Sequence, residues 1–265
     1  MSKKCVILSP MLLVALAMAI AFSVSGIALA QCDNDNEFTK DYRLQDCRGF
    51  RSFGINPYFL LIPGYQLVLE GPGEEGEEIK AVISVLRKIK RIRIPGYGKV
   101  TTRIVEEREW EDGELVEVSR NFFAICKRTN SVFYFGEEVD EYEDGVIVGH
   151  EGAWLAGKDG AMPGIIMPGT FLLGSRYYQE YAEGVAEDRG ENAEMGIEVG
   201  TLAGIFSDCV VVIDTNPLDD VCLSDDGDEK IYAPGVGLIV DETLELVDYG
   251  FNIFDVEEDG SDDED

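Results

Sequence analysis

Histidine is nearly absent from this chain: among 265 residues only His150 is one. A single imidazole excludes His-rich zinc and copper centres, and no C-x-x-C pair offers thiolates in their place. Serine hydrolysis lacks its parts too. His150 would have to serve as the base, and no G-x-S-x-G elbow presents a nucleophile to it. Positive charge is scarce, with 22 Lys and Arg against 52 Asp and Glu and a net charge of −30. Such a surface repels phosphate backbones and anionic headgroups, which excludes nucleic acid and leaves divalent cations and basic proteins acceptable. Helical periodicity is the last absence: outside residues 1–30 no segment of adequate length carries it.

What is present begins with an export signal. Lys3 and Lys4 precede an apolar stretch from Val6 to Val24 that closes on Ala28-Leu29-Ala30, an A-x-A cleavage pattern. Cleavage after Ala30 is expected, with an uncleaved anchor or a lipid-modified Cys32 as the alternatives. Gln31 stands before Cys32 where lipid attachment needs a small residue. The expected location is periplasmic or extracellular, with no transmembrane segment after cleavage. In that oxidising setting the sequence-near cysteine pairs are Cys32 with Cys47 and Cys209 with Cys222, each closing a loop of about 12 to 15 residues. Cys126, in the apolar run from Phe122, is left over as a small buried hydrophobe.

Between the ends the pattern is strand after strand. Tyr65–Glu70, Ile79–Arg93, Lys99–Trp110, Glu114–Lys127 and Val132–Tyr134 are rich in β-branched and aromatic residues. Strands resume at Ala193–Val199, Phe206–Asp214, Glu229–Ala233, Val236–Val240 and Leu244–Tyr249. Pro95-Gly96, Asp112-Gly113 and Asp144-Gly145 supply the turns of an antiparallel meander. The expected fold is all-β and mainly antiparallel, one large meander forming a curved sheet or open half-barrel. Its organisation is a signal peptide at 1–30, an irregular cystine-tied arm at 31–55, the β domain at 56–254 and a disordered acidic tail at 255–265. The basic cluster Arg87, Lys88, Lys90, Arg91 and Arg93 is expected to pair across strands with Glu106, Glu107 and Glu109.

The most specific stretch runs from His150 to Glu191, a mixture of Trp, Gly, Pro and acids that periodicity alone does not generate. Taken with Asn56-Pro57-Tyr58-Phe59, Glu109 to Glu117, Tyr134-Phe135-Gly136-Glu137 and Tyr232 to Leu238, it resembles a family of uncharacterised exported bacterial proteins. That resemblance covers most of the mature chain and brings no activity with it. The closing Tyr-Ala-Pro-Gly-Val-Gly-Leu segment is similar to the ends of half-barrel periplasmic lipoprotein carriers, which implies a fold alone.

Several motif matches resolve into blander readings. Gly71-Pro72-Gly73-Glu74-Glu75-Gly76 fits G-x-G-x-x-G, but its carboxylates oppose a pyrophosphate and it reads as a turn. Asp225, Asp226 and Asp228 are the candidate calcium ligands, in a loop whose spacing fits no established calcium motif and which also reads as an acidic turn. No cofactor is expected otherwise. The candidate ligand-binding residues are His150, Glu151, Trp154, Tyr177, Tyr178, Glu180, Glu187 and Asp188, because rings with polar edges beside acids suit a site for a polar or cationic group. Trp154 equally suits a core anchor. The expected function is a non-enzymatic binding or carrier module for a small molecule, lipid or envelope protein. The alternatives are a structural envelope protein and a hydrolase using carboxylates such as Glu151 and Glu187.

Overall fold

Asp-Gly pairs set the turns and alternating β-branched residues set the strands between them. A computed structural model describes residues 37–73, 76–219 and 227–253. The expected signal peptide, Cys32, Cys222, Asp225, Asp226 and the acidic tail at 255–265 lie outside the described residues. Short pieces come first: β1 (Phe50–Arg51), β2 (Gly54–Asn56) and β3 (Phe59–Leu61). A long meander follows in β4 (Tyr65–Pro72), β5 (Glu78–Ile94), β6 (Gly98–Glu111), β7 (Glu114–Cys126) and β8 (Val132–Glu143). The middle is built of small strands, β9 (Val146–Gly149), β10 (Trp154–Leu155), β11 (Met162–Met167), β12 (Arg176–Tyr178) and β13 (Glu180–Tyr181). A second meander closes the chain, β14 (Arg189–Thr201), β15 (Gly204–Thr215), β16 (Asp228–Ala233), β17 (Gly237–Asp241) and β18 (Leu244–Phe251). Asp112-Gly113 and Asp144-Gly145 each hold two successive positive φ angles, 48° and 85°, then 51° and 74°. That is the I′ backbone whose twist matches a two-residue hairpin, so β6 turns into β7 and β8 into β9 without strain.

The main sheet runs in the order β12-β14-β15-β16-β17-β18-β4-β5-β6-β7-β8-β11-β13, antiparallel throughout, with β1, β9 and β10 paired at its margins. Pairing of β18 with β4 joins the two meanders. At the far ends of the path stand β12 and β13, yet only Gln179 separates them in the chain. One bent segment therefore pairs with β14 through its first half and with β11 through its second, and the sheet curls into a nearly closed ring. Glycine makes this seam possible. A Cβ at Gly164 would lie 2.2 Å from the Gln179 carbonyl oxygen, and one at Gly190 would lie 2.8 Å from Gln179 Nε2.

The disulfide departs from the sequence-near pairing. Cys47 is bonded to Cys126, 79 residues away, and Cys209 is a free, fully buried thiol in β15. The cause is the arm, which is not irregular throughout: β1 pairs with the end of β7, Phe50 opposite Cys126, and brings the 3-10 turn Leu44–Cys47 over it. The Cα atoms then lie 4.9 Å apart, within bridging range. Closing so long a loop is worth roughly 4 to 5 kcal/mol in the chain-entropy model.

The basic cluster also sits elsewhere than expected. Between Val85, opposite Val105, and Ile89, opposite Arg103, β5 bulges outward. Arg103 fills the bulge, donating from Nη1 to the carbonyls of Leu86, Arg87 and Lys88 at 3.3, 2.7 and 3.3 Å. The slip leaves Lys90 and Arg91 opposite Thr102 and Thr101, while Glu106, Glu107 and Glu109 face Ser84, Ile83 and Ala81. Lys90 instead pairs with Glu138, and buried Glu106 is held by Arg108 at 2.8 Å and Arg120 at 3.2 Å. Among the described residues no helix is long and apolar enough to cross a membrane.

Candidate ligand cavity

Because strand side chains alternate, a curled sheet gathers every second residue of its strands inside. Tyr65 and Leu67 of β4, Val105 and Glu107 of β6, and Lys230 and Tyr232 of β16 all line one cavity of about 240 Å³. Its wall is divided. Phe59, Leu67, Ile83, Phe123, Val236 and Leu238 form an apolar part, and Glu107, Glu137, Glu180, Asp188 and Asp241 form an acidic part with Lys230. Tyr134 spans both, donating its hydroxyl to Asn121 Oδ1.

Lys230 lies directly across the ladder from Asp241, its Nζ 3.4 Å from Asp241 Oδ1 and 3.4 Å from Asp214 Oδ2. Attraction to Asp241 is the main reason its ammonium titrates well above the usual range, outweighing desolvation. Gln179 Nε2, at the seam, donates to the other Asp214 oxygen at 2.6 Å. Burial is the first cause that raises the carboxyls. Glu107 is pushed up to about 8, with repulsion from Asp241 added and attraction to Lys230 opposing. Glu137 rises to about 7 through burial and then Glu117. Asp214 rises to about 7 by burial against the pull of Lys230. Glu180 is raised well above the usual carboxyl range, first by burial, then by Asp188 and Glu137. Its residue is 6% exposed, and the Trp154 indole N–H faces this carboxyl without completing a hydrogen bond. Near neutral pH the cavity acids thus hold protons that they would lose in water.

Of the residues expected at a site, Glu180 and Asp188 line this cavity. Trp154 stands behind them, buried, its ring edge-on to Tyr134 at 5.3 Å between centroids. Tyr177 and Tyr178 are buried in packing rather than offered to a ligand. Tyr177 donates its hydroxyl to Asn192 Oδ1 at 2.9 Å, and Tyr178 stacks edge-on against Phe38 and Tyr181. His150 is 65% exposed, donating Nδ1–H to the Val139 carbonyl at 2.6 Å beside Asp140. Glu151 lies in an exposed turn whose N–H bonds to Glu141, and Glu187 caps a turn by accepting from Gly184 N–H at 2.8 Å. The two carboxylates named for hydrolysis therefore stand in surface turns, away from the cavity. Asp228 is exposed opposite Asp214, and among the described residues no group of acids, His or Cys is arranged to hold a metal ion.

Sequence reasoning missed Glu107, Glu137, Asp241 and Lys230. One signal for Lys230 was readable: it is the only lysine after Lys158, set in the strand Lys-Ile-Tyr-Ala among acids. Comparison with protein-family models, curated proteins and solved structures finds no match to this chain.

Proposed function

We propose that this protein is an exported, non-enzymatic binding protein that holds a small amphiphilic molecule inside its curled sheet. The observation that carries the reading is the divided cavity, an apolar wall continuous with a cluster of hydrogen-bonding acids. Gathering six polar or charged side chains, Glu180 buried and the others half-buried, around one cavity costs stability that an apolar filling would avoid, and functional sites are where folds bear such costs. At about 240 Å³ the space falls below the roughly 300–1,000 Å³ of pockets for drug-sized ligands. The ligand is therefore small, or enters by its head and one short chain. A resemblance to half-barrel carriers agrees with this use of the fold, and the A-x-A pattern at Ala28-Leu29-Ala30 supports a ligand met outside the cytoplasm. Chemistry on the ligand finds little support, because the one histidine lies on the surface. Calorimetric titration with octanol tests the reading: uptake at one site is expected, lost in Val105→Trp, which fills the lumen, with the melting temperature retained. Uptake unchanged in that variant would defeat it.

A further inference from the structure

We propose that the cavity selects a protonated amine carried on an apolar body, its ammonium seated among Glu107, Glu137 and Glu180; this rests on reading the cavity as a ligand site. Once ionised, carboxylates are acceptor-only, so a pocket lined by them then calls for a donor or a cation. The one lysine of the cavity is already committed to Asp214 and Asp241. Among the described residues Glu107, Glu137 and Glu180 form no salt bridge, and Glu180 keeps one buried oxygen, Oε2, without a hydrogen-bond partner. That orphaned acceptor is the second, independent sign of a missing donor. An ammonium brings three N–H donors and a charge that relieves the mutual repulsion of the three acids. A carboxylate or phosphate ligand would add to that repulsion. A divalent ion lacks a suitable ligand set among the described residues. The rings of Tyr134 and Phe123, which also line the cavity, offer π faces to a cation and apolar surface to the body behind it.

Binding of such a ligand depends on pH, since the acids must release protons to receive the cation. The groups that line the seat or act on it electrostatically are Glu107 and Glu109 from β6, Glu117 from β7, and Tyr134 and Glu137 from β8. From the seam and the strands beyond it come Glu180, Asp188, Asp214, Lys230, Tyr232 and Asp241. Glu107, Glu137 and Asp214 lose their protons near pH 7 to 8. Affinity for the ammonium therefore rises through that interval, with protons released on binding.

The test is calorimetric titration of the intact protein with three probes sharing one eight-carbon tail: octylammonium, octanol and octanoate, at about pH 6 and about pH 8.5. Octylammonium is expected to bind at least about tenfold more tightly than octanol at the higher pH, with octanoate weakest. Glu180→Gln and Glu107→Gln should each weaken octylammonium about tenfold or more while changing octanol affinity far less. The second variant removes a carboxyl whose burial is costly, so it folds even if the first does not. Octanol or octanoate binding as well as octylammonium overturns the headgroup assignment and leaves the cavity as a ligand site. Undiminished octylammonium binding in both variants overturns it as well. Failure of all three probes defeats both the assignment and the site.

Discussion

Raising the pH strips protons that the folded chain holds and the unfolded chain does not. Among the carboxyls Glu107 carries the largest such burden with a stated value, from 4.5 for a free carboxyl to about 8 in the cavity. Because the folded value lies above the unfolded one, the stabilising contribution is fully present below about pH 4.5 and is lost as pH rises through about 8. Within that window each such group costs about 1.4 kcal/mol per pH unit. For Glu107 alone the loss totals on the order of 5 kcal/mol, an upper figure because the side chain faces a cavity rather than dry core. Glu137 and Asp214, raised to about 7, add to the slope at slightly lower pH. Urea unfolding followed between about pH 5 and about pH 9 should show stability falling steadily. In Glu107→Gln the fall should be shallower, and the variant should exceed the parent at the alkaline end while matching it near pH 5 within about 1 kcal/mol. Stability that is flat or rising over this range, or an identical slope in the variant, would refute the claim that these acids are buried by design. A gain in stability joined to a loss of ligand affinity is the signature of a residue kept for binding.

Three further outcomes follow from the packing. Non-reducing peptide mapping should recover Cys47 linked to Cys126, with Cys209 alkylated only after denaturation, and Cys126→Ser should cost roughly 4 to 5 kcal/mol. Trp154→Ala removes a buried ring packed on Tyr134 and should destabilise by about 3 to 5 kcal/mol in thermal or urea unfolding. Gly164→Ala presses a methyl against the Gln179 carbonyl at the seam, so about 1 to 3 kcal/mol should be lost. Hydrogen exchange in that variant should quicken at β11 and β13 before the meander strands.

Most of the sheet was legible because its strands alternate over long stretches and its turns are Asp-Gly pairs with positive φ. β8 was read too short, ending at Tyr134, because Gly136 and the acids beyond resemble a loop; the strand in fact continues to Glu143, with Val139 buried. Site residues were hidden by the same convention. In Val105-Glu106-Glu107, polarity suggests that both acids face solvent, whereas Glu106 packs between Arg108 and Arg120 and Glu107 faces the cavity. An interior that is itself polar reverses the inside-outside rule for alternate residues. Of the residues named in the signature run, the aromatics serve packing and only Glu180 and Asp188 reach the cavity. The Cys47 to Cys126 bond depends on β1 adding to β7, a pairing of distant segments that no local pattern encodes.

Methyl-resolved NMR of the protein titrated with octylammonium tests the central claim most directly. Shifts confined to the lumen methyls of Leu67, Ile83, Val105 and Leu238, saturating at one equivalent, are the expected result. Shifts that fall instead on the exposed methyls of Val146, Val148, Leu202 and Ile205, with the lumen unmoved, would contradict a ligand site inside the sheet.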